Sequence, residues 1–169
     1  MEFFDRNKMK RIDTGWLDGS TCHNQDGCFL DMRGNTIQIC RVSSVLNRDV
    51  KQFGKKFMFD SNEETCWNSD QGDCQWLILD FPQSVSVSEL KVQFQGGFSA
   101  KTCRMEGCSA DGDFTVISHF YPEDNNSLQC FPIQERATVD RVKITFENSA
   151  DFFGRIVVYT LDILGEKAT

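Results

Sequence analysis

The chain has 169 residues, 40% apolar and 25% charged, with 15 phenylalanines and a formal net charge of -7. That length and apolar fraction suit one globular domain that buries a core without disulfides, and they exclude a disordered chain. Acidic and basic residues are interspersed along most of the chain. Direct binding of nucleic acid or of an anionic membrane is therefore not expected, because both recruit clustered Lys and Arg.

In chain order, residues 1–40 come first and carry Asp18-Gly19-Ser20, Asp26-Gly27 and Arg33-Gly34-Asn35 with few periodic stretches. They are predicted to be a poorly ordered N-terminal extension. Ile37-Gln38-Ile39 is the one alternating piece, suited to pairing with an edge of the main domain. Met1-Glu2-Phe3-Phe4-Asp5-Arg6 has charges where a signal peptide needs an apolar run, and no stretch reaches the length of a spanning helix. The expected location is the nucleus or the cytosol.

Residues 41–169 read as a single all-β domain of short strands separated by turn residues. In Leu90-Lys91-Val92-Gln93-Phe94-Gln95 every second residue is apolar, so one face turns inward and the other is wet. Val142, Ile144 and Phe146 repeat the pattern, as do Val157, Tyr159, Leu161 and Ile163, set against an outward Val158, Thr160 and Asp162. Trp76-Leu77-Ile78-Leu79 is apolar on both sides and is predicted to be a central strand covered on each face. Turns fall at Gln95-Gly96-Gly97, Ala110-Asp111-Gly112-Asp113, Pro122-Glu123-Asp124-Asn125 and Phe153-Gly154. Two antiparallel sheets stacked face to face bury such one-sided strands most simply, with a closed barrel as the alternative.

Eight cysteines occur without a repeated Cys-x-x-Cys, so buried or idle thiols are expected in preference to zinc ligands or disulfides. Only His23 and His119 offer imidazole bases, and neither has a nucleophile or orienting group beside it in sequence, so no catalytic residue is assigned.

Phe59-Asp60-Ser61-Asn62-Glu63-Glu64-Thr65-Cys66-Trp67, followed by Gln75-Trp76-Leu77-Ile78-Leu79-Asp80-Phe81, resembles the opening of discoidin or coagulation-factor C-type domains. The likeness continues through Leu90 to Gly97, Ser109 to Gly112, and Arg155 to Gly165. It implies an antiparallel β-sandwich of the galactose-binding-like type. It is tightest with a small branch of the family, through Arg41-Val42-Ser43-Ser44-Val45-Leu46-Asn47-Arg48, Gln52-Phe53-Gly54-Lys55-Lys56, Cys66-Trp67-Asn68-Ser69-Asp70-Gln71-Gly72, Phe120 to Gln129 and Asp151-Phe152-Phe153-Gly154-Arg155. That branch implies a nuclear repressor that binds an orphan nuclear receptor and keeps it from its DNA response element.

Sugar-binding relatives hold a structural calcium in the Asp60-to-Trp67 loop, and the resemblance implies Asp60, Asn62, Thr65 and Glu166 as ligands here. The alternative is that Asp60 and Thr65 cap the loop through hydrogen bonds while Trp67 fills the core. For partner binding the candidates are Phe98, Phe152, Phe153 and Arg155, in loops where this fold carries its binding surface. Equally open is that the phenylalanines fold back to close the core. The expected function is thus a non-enzymatic protein-binding module. The alternatives are a glycan-binding module and an assembly subunit of an intracellular complex.

Overall fold

The computed structural model describes residues 29–30, 36–37, 39–109 and 112–168. The extension predicted for residues 1–40 lies mostly outside these. The turn at Ala110-Asp111 also lies outside, although beside it the Gly112 N–H donates to the Ser109 carbonyl at 2.7 Å.

A two-residue ladder joins β1 (Phe29–Leu30) to β2 (Thr36–Ile37). The domain proper begins with β3 (Ile39–Val42), which pairs antiparallel with β5 (Cys74–Phe94), so the edge pairing expected around Ile37-Gln38-Ile39 occurs from Ile39 onward. Between them lie two 3-10 turns, the short helix α1 (Val50–Phe53) and β4 (Trp67–Asn68). Then follow β6 (Ala100–Cys108), β7 (Thr115–Phe120), β8 (Leu128–Ser149) and β9 (Val157–Lys167).

The sandwich arises because β5 and β8 are too long for one layer. They pair from Cys74 to Asp80 against Glu147 to Arg141, break register, and resume from Val85 against Val139. Such an irregularity bends a ribbon sharply. On one side of the bend the ribbon carries β3 and β6, with β7 beyond. On the other it carries β9, with β4 beyond. The ladder ends at β4 and β7 without joining them, so the barrel alternative is not adopted.

Aromatic side chains close the gap between the layers. Phe94 of one meets Phe146 of the other edge to face at 5.8 Å, Trp67 meets Phe146 at 6.0 Å, and Phe120 meets Phe131 at 5.2 Å. Leu90, Val92 and Phe94 are buried, as are Val142, Ile144 and Phe146, in keeping with their period-two pattern.

Two details depart from the sequence expectation. Leu77 and Leu79 are fully buried, whereas Trp76 and Ile78 lie half-buried on the outer face, Trp76 beneath the Lys143 ammonium at 5.6 Å. The strand is central in its sheet, but only one side is covered. In β9, Gln93 pairs with Thr160 and Phe94 with Val158, leaving Tyr159 as the extra residue of a bulge. The bulge inverts the expected parity, so Val158 is buried and Tyr159 turns outward, its hydroxyl 3.2 Å from Gln95 Oε1.

Candidate functional site

Four loops meet at one end of the sandwich: 69–73 after β4, 95–99 after β5, 121–127 after β7 and 150–156 after β8. Strand register brings them together, since Gln93 faces Leu128, Phe94 faces Val158, and Ala100 faces Ser149.

Polar side chains then fix the loops. Buried Gln75 accepts from the Ser43 and Ser44 hydroxyls at 2.6 and 2.7 Å and donates to the Asp70 carbonyl at 3.0 Å. Buried Ser69 bonds Ile156 in both directions, at 2.8 and 2.9 Å, tying the first loop to the last. Asp124 Oδ1 accepts from the Ser99 hydroxyl at 2.7 Å and the Gly97 N–H at 2.8 Å, which hold its carboxyl below the ordinary range. Asn126 Oδ1 accepts from the Gly96 N–H at 2.7 Å. A buried polar group without a partner costs about 1–3 kcal/mol, so the bonds of buried Gln75 and Ser69 favour one loop arrangement.

On this frame sits a stack of rings and charge. Arg155 gives Asp151 two hydrogen bonds, Nε to Oδ2 at 3.0 Å and Nη2 to Oδ1 at 3.1 Å. The pairing lowers the Asp151 carboxyl and raises the guanidinium pKa, each stabilising the charged form of the other. The guanidinium lies 5.1 Å from the Phe98 ring centre and 5.9 Å from that of Phe153, within cation–π reach of both. Phe153 meets Phe152 edge to face at 5.3 Å and 88°.

Gly154 makes this packing possible. Its φ of 82° is left-handed, and a Cβ there would overlap the Gly72 carbonyl. The close approach lets the Gly72 N–H donate to the Phe153 carbonyl at 3.0 Å. Between the two loops lies an open concavity of about 440 Å³ lined by Gln71, Gly72, Asp73, Ser149, Asp151, Phe152, Phe153 and Gly154.

The four residues singled out for partner binding thus occupy one cluster, but in different states. Phe152 and Phe153 do not fold back into the core, being 92% and 57% exposed. Phe98 is half-buried under Arg155. Arg155 is engaged inside the chain and acts on the rings around it. Sequence reading missed Asp151, Asp73 and Gly72. The four-residue spacing of Asp151 and Arg155 was the visible signal for the first, while the other two meet the cluster only through tertiary packing.

The calcium set comes out otherwise. Asp60 Oδ1 accepts from the Asn62 N–H at 3.0 Å and its Oδ2 from the Thr65 hydroxyl, while Asn62 Oδ1 accepts from the Glu64 N–H at 2.9 Å. Glu166 pairs with Arg136 at 3.6 Å. The bonds of Asp60 and Asn62 close the loop on itself, the capped arrangement that the residues alone also allow. Trp67 below is fully buried, with its indole N–H on the Ser44 carbonyl at 3.0 Å. Among the described residues no three His, Cys, Asp or Glu side chains gather as metal ligands. His119 lies exposed on β7, an edge strand.

A bent sandwich with its loops gathered at one end has the discoidin-like β-sandwich fold seen in solved structures. Chitosan-binding module 1 of a Paenibacillus chitosanase/glucanase matches 84% of this chain and all of that module, with a TM-score of 0.64 at 15% identity. An F5/8 type C domain from Bacteroides fragilis matches 77% of this chain and 91% of that domain, with a TM-score of 0.64 at 12% identity. No protein-family model matches the chain.

Sequence relatives are more specific. The nuclear receptor 2C2-associated protein of Danio rerio is 72% identical over 127 residues, 75% of this chain and 90% of the relative. That of Xenopus tropicalis is 60% identical over 131 residues, 78% of this chain and 96% of the relative. The chain belongs to the nuclear receptor 2C2-associated protein family.

Proposed function

We propose that this chain is a non-enzymatic adaptor that binds an orphan nuclear receptor in the nucleus through its loop end and, by covering the receptor's basic DNA-contacting surface, represses it. The observation that carries the reading is where the exposed apolar side chains fall. Of the six large ones among the described residues, Tyr121, Leu128, Phe152 and Phe153 belong to this end. Aromatic anchors clustered this way dominate binding energy when a partner supplies pockets for them. The surrounding loops carry Asp70, Asp73, Glu123, Asp124 and Asp151 against Arg155 alone, a balance that favours a basic partner and opposes direct DNA contact. The receptor enters through the names of the sequence relatives. A glycan platform has less support, since these loops hold no tryptophan.

The test is a gel-shift titration of the receptor on its response element. Wild-type chain lowers receptor occupancy and gives no shift alone, and the Phe152→Ala/Phe153→Ala double variant fails to lower it. Unchanged occupancy with folded wild type would refute the repression mechanism, and full activity of the double variant would move the contact elsewhere.

A further inference from the structure

We propose that the concavity between the 69–73 and 150–156 loops receives a lysine or arginine side chain from a basic segment of a partner protein, an inference that rests on the loop end being the partner-facing surface. Two of its walls are Phe152 and Phe153, 92% and 57% exposed and set 88° apart with centroids 5.3 Å from one another, so they form an accessible aromatic corner. An aromatic corner holds an ammonium or guanidinium by its ring quadrupoles, more strongly as water is displaced. Asp73, exposed beside it on the opposite loop, supplies a carboxylate at the rim.

Arg155 would repel an incoming cation if its charge were uncompensated. Asp151 compensates it through the two-bond pair, and Lys101 of β6 acts on Asp124, which leaves Asp73, Asp70 and Glu123 as the excess negative charge of these loops. The same excess of carboxylates disfavours phosphate, anionic lipid and nucleic acid. Arg155 over Phe98 and Phe153 already shows within the chain the contact that the concavity offers to a partner.

The probe is fluorescein-labelled octalysine, titrated against the full chain by anisotropy at low and physiological salt, with the Gly72 and Gly154 amides followed by heteronuclear NMR. Binding should saturate and shift both amides. Asp73→Asn and Phe152→Ala should each weaken it about 3- to 10-fold. Glu135→Gln, the same charge change on β8 outside these loops, should leave it unchanged. Equal losses in Asp73→Asn and Glu135→Gln, or unmoved Gly72 and Gly154 amides, would overturn the pocket. Receptor capture that needs Phe152 while octalysine binding does not would also overturn it and leave the loop-end reading standing. The converse result would support the pocket and refute the receptor reading alone.

Discussion

Asp151 holds Arg155 by two nearly equal N–H···O bonds, 3.0 and 3.1 Å, and so fixes the height of the guanidinium over the Phe98 ring. This pair is part-buried and lies within one loop, so it fixes the local shape of the 150–156 segment, which the Ser69–Ile156 and Gly72–Phe153 bonds dock against the 69–73 loop.

Hydrogen bonding from Arg155 lowers the folded Asp151 pKa below its unfolded value of about 3.9. The contribution of the pair is then complete above that unfolded value and is lost as pH falls through the folded one. Acid should therefore loosen the 150–156 loop, seen as shifting Arg155 and Phe153 resonances. Asp151→Asn should remove that acid step, and its persistence in the variant would assign it to another carboxylate.

Gly154→Ala should destabilise the fold by about 1–3 kcal/mol, combining left-handed backbone strain with the overlap on Gly72. Urea denaturation reads the loss. The displaced Gly72–Phe153 hydrogen bond should appear as faster amide exchange at Gly72.

Phe146→Ala removes a ring that touches both Phe94 and Trp67 across the layers and should cost about 3–5 kcal/mol. Phe152→Ala should change stability by no more than about 0.5 kcal/mol, because its ring is almost wholly exposed. If Phe152→Ala were as costly as Phe146→Ala, its ring would be part of the core.

Thiol reactivity should divide by burial. Desolvation pushes the Cys40 pKa up to about 12 and raises that of Cys103 strongly, so neither forms thiolate near neutral pH. Cys74 and Cys130 are exposed. Among the thiols of the described residues, iodoacetamide at mildly alkaline pH should label Cys74 and Cys130 first and reach Cys40 and Cys103 only on unfolding, as read by peptide mass spectrometry.

Much of the sandwich was legible because a strand writes its buried face into every second residue. Leu90, Val92, Phe94, Val142, Ile144 and Phe146 could be assigned from that parity alone. The pattern misled where parity changes inside a strand. Nothing in Val157-Val158-Tyr159-Thr160 announces that Tyr159 is the extra residue of a bulge, since the bulge depends on the partner strand. Trp76 and Ile78 misled differently, because an apolar side chain on an outer face is as compatible with a Lys143 contact as with a second layer.

By itself the sequence determined the all-β class, the inward residues of most strands and the loops in which Phe98, Phe152 and Phe153 lie, because local periodicity and turn chemistry are properties of neighbouring residues. Only the tertiary structure decided that Phe98 joins Phe153 and Arg155 in one stack and that Gly72 packs against Gly154. Those contacts join segments far apart along the chain, and they depend on where β5 and β8 bend, which no local pattern specifies.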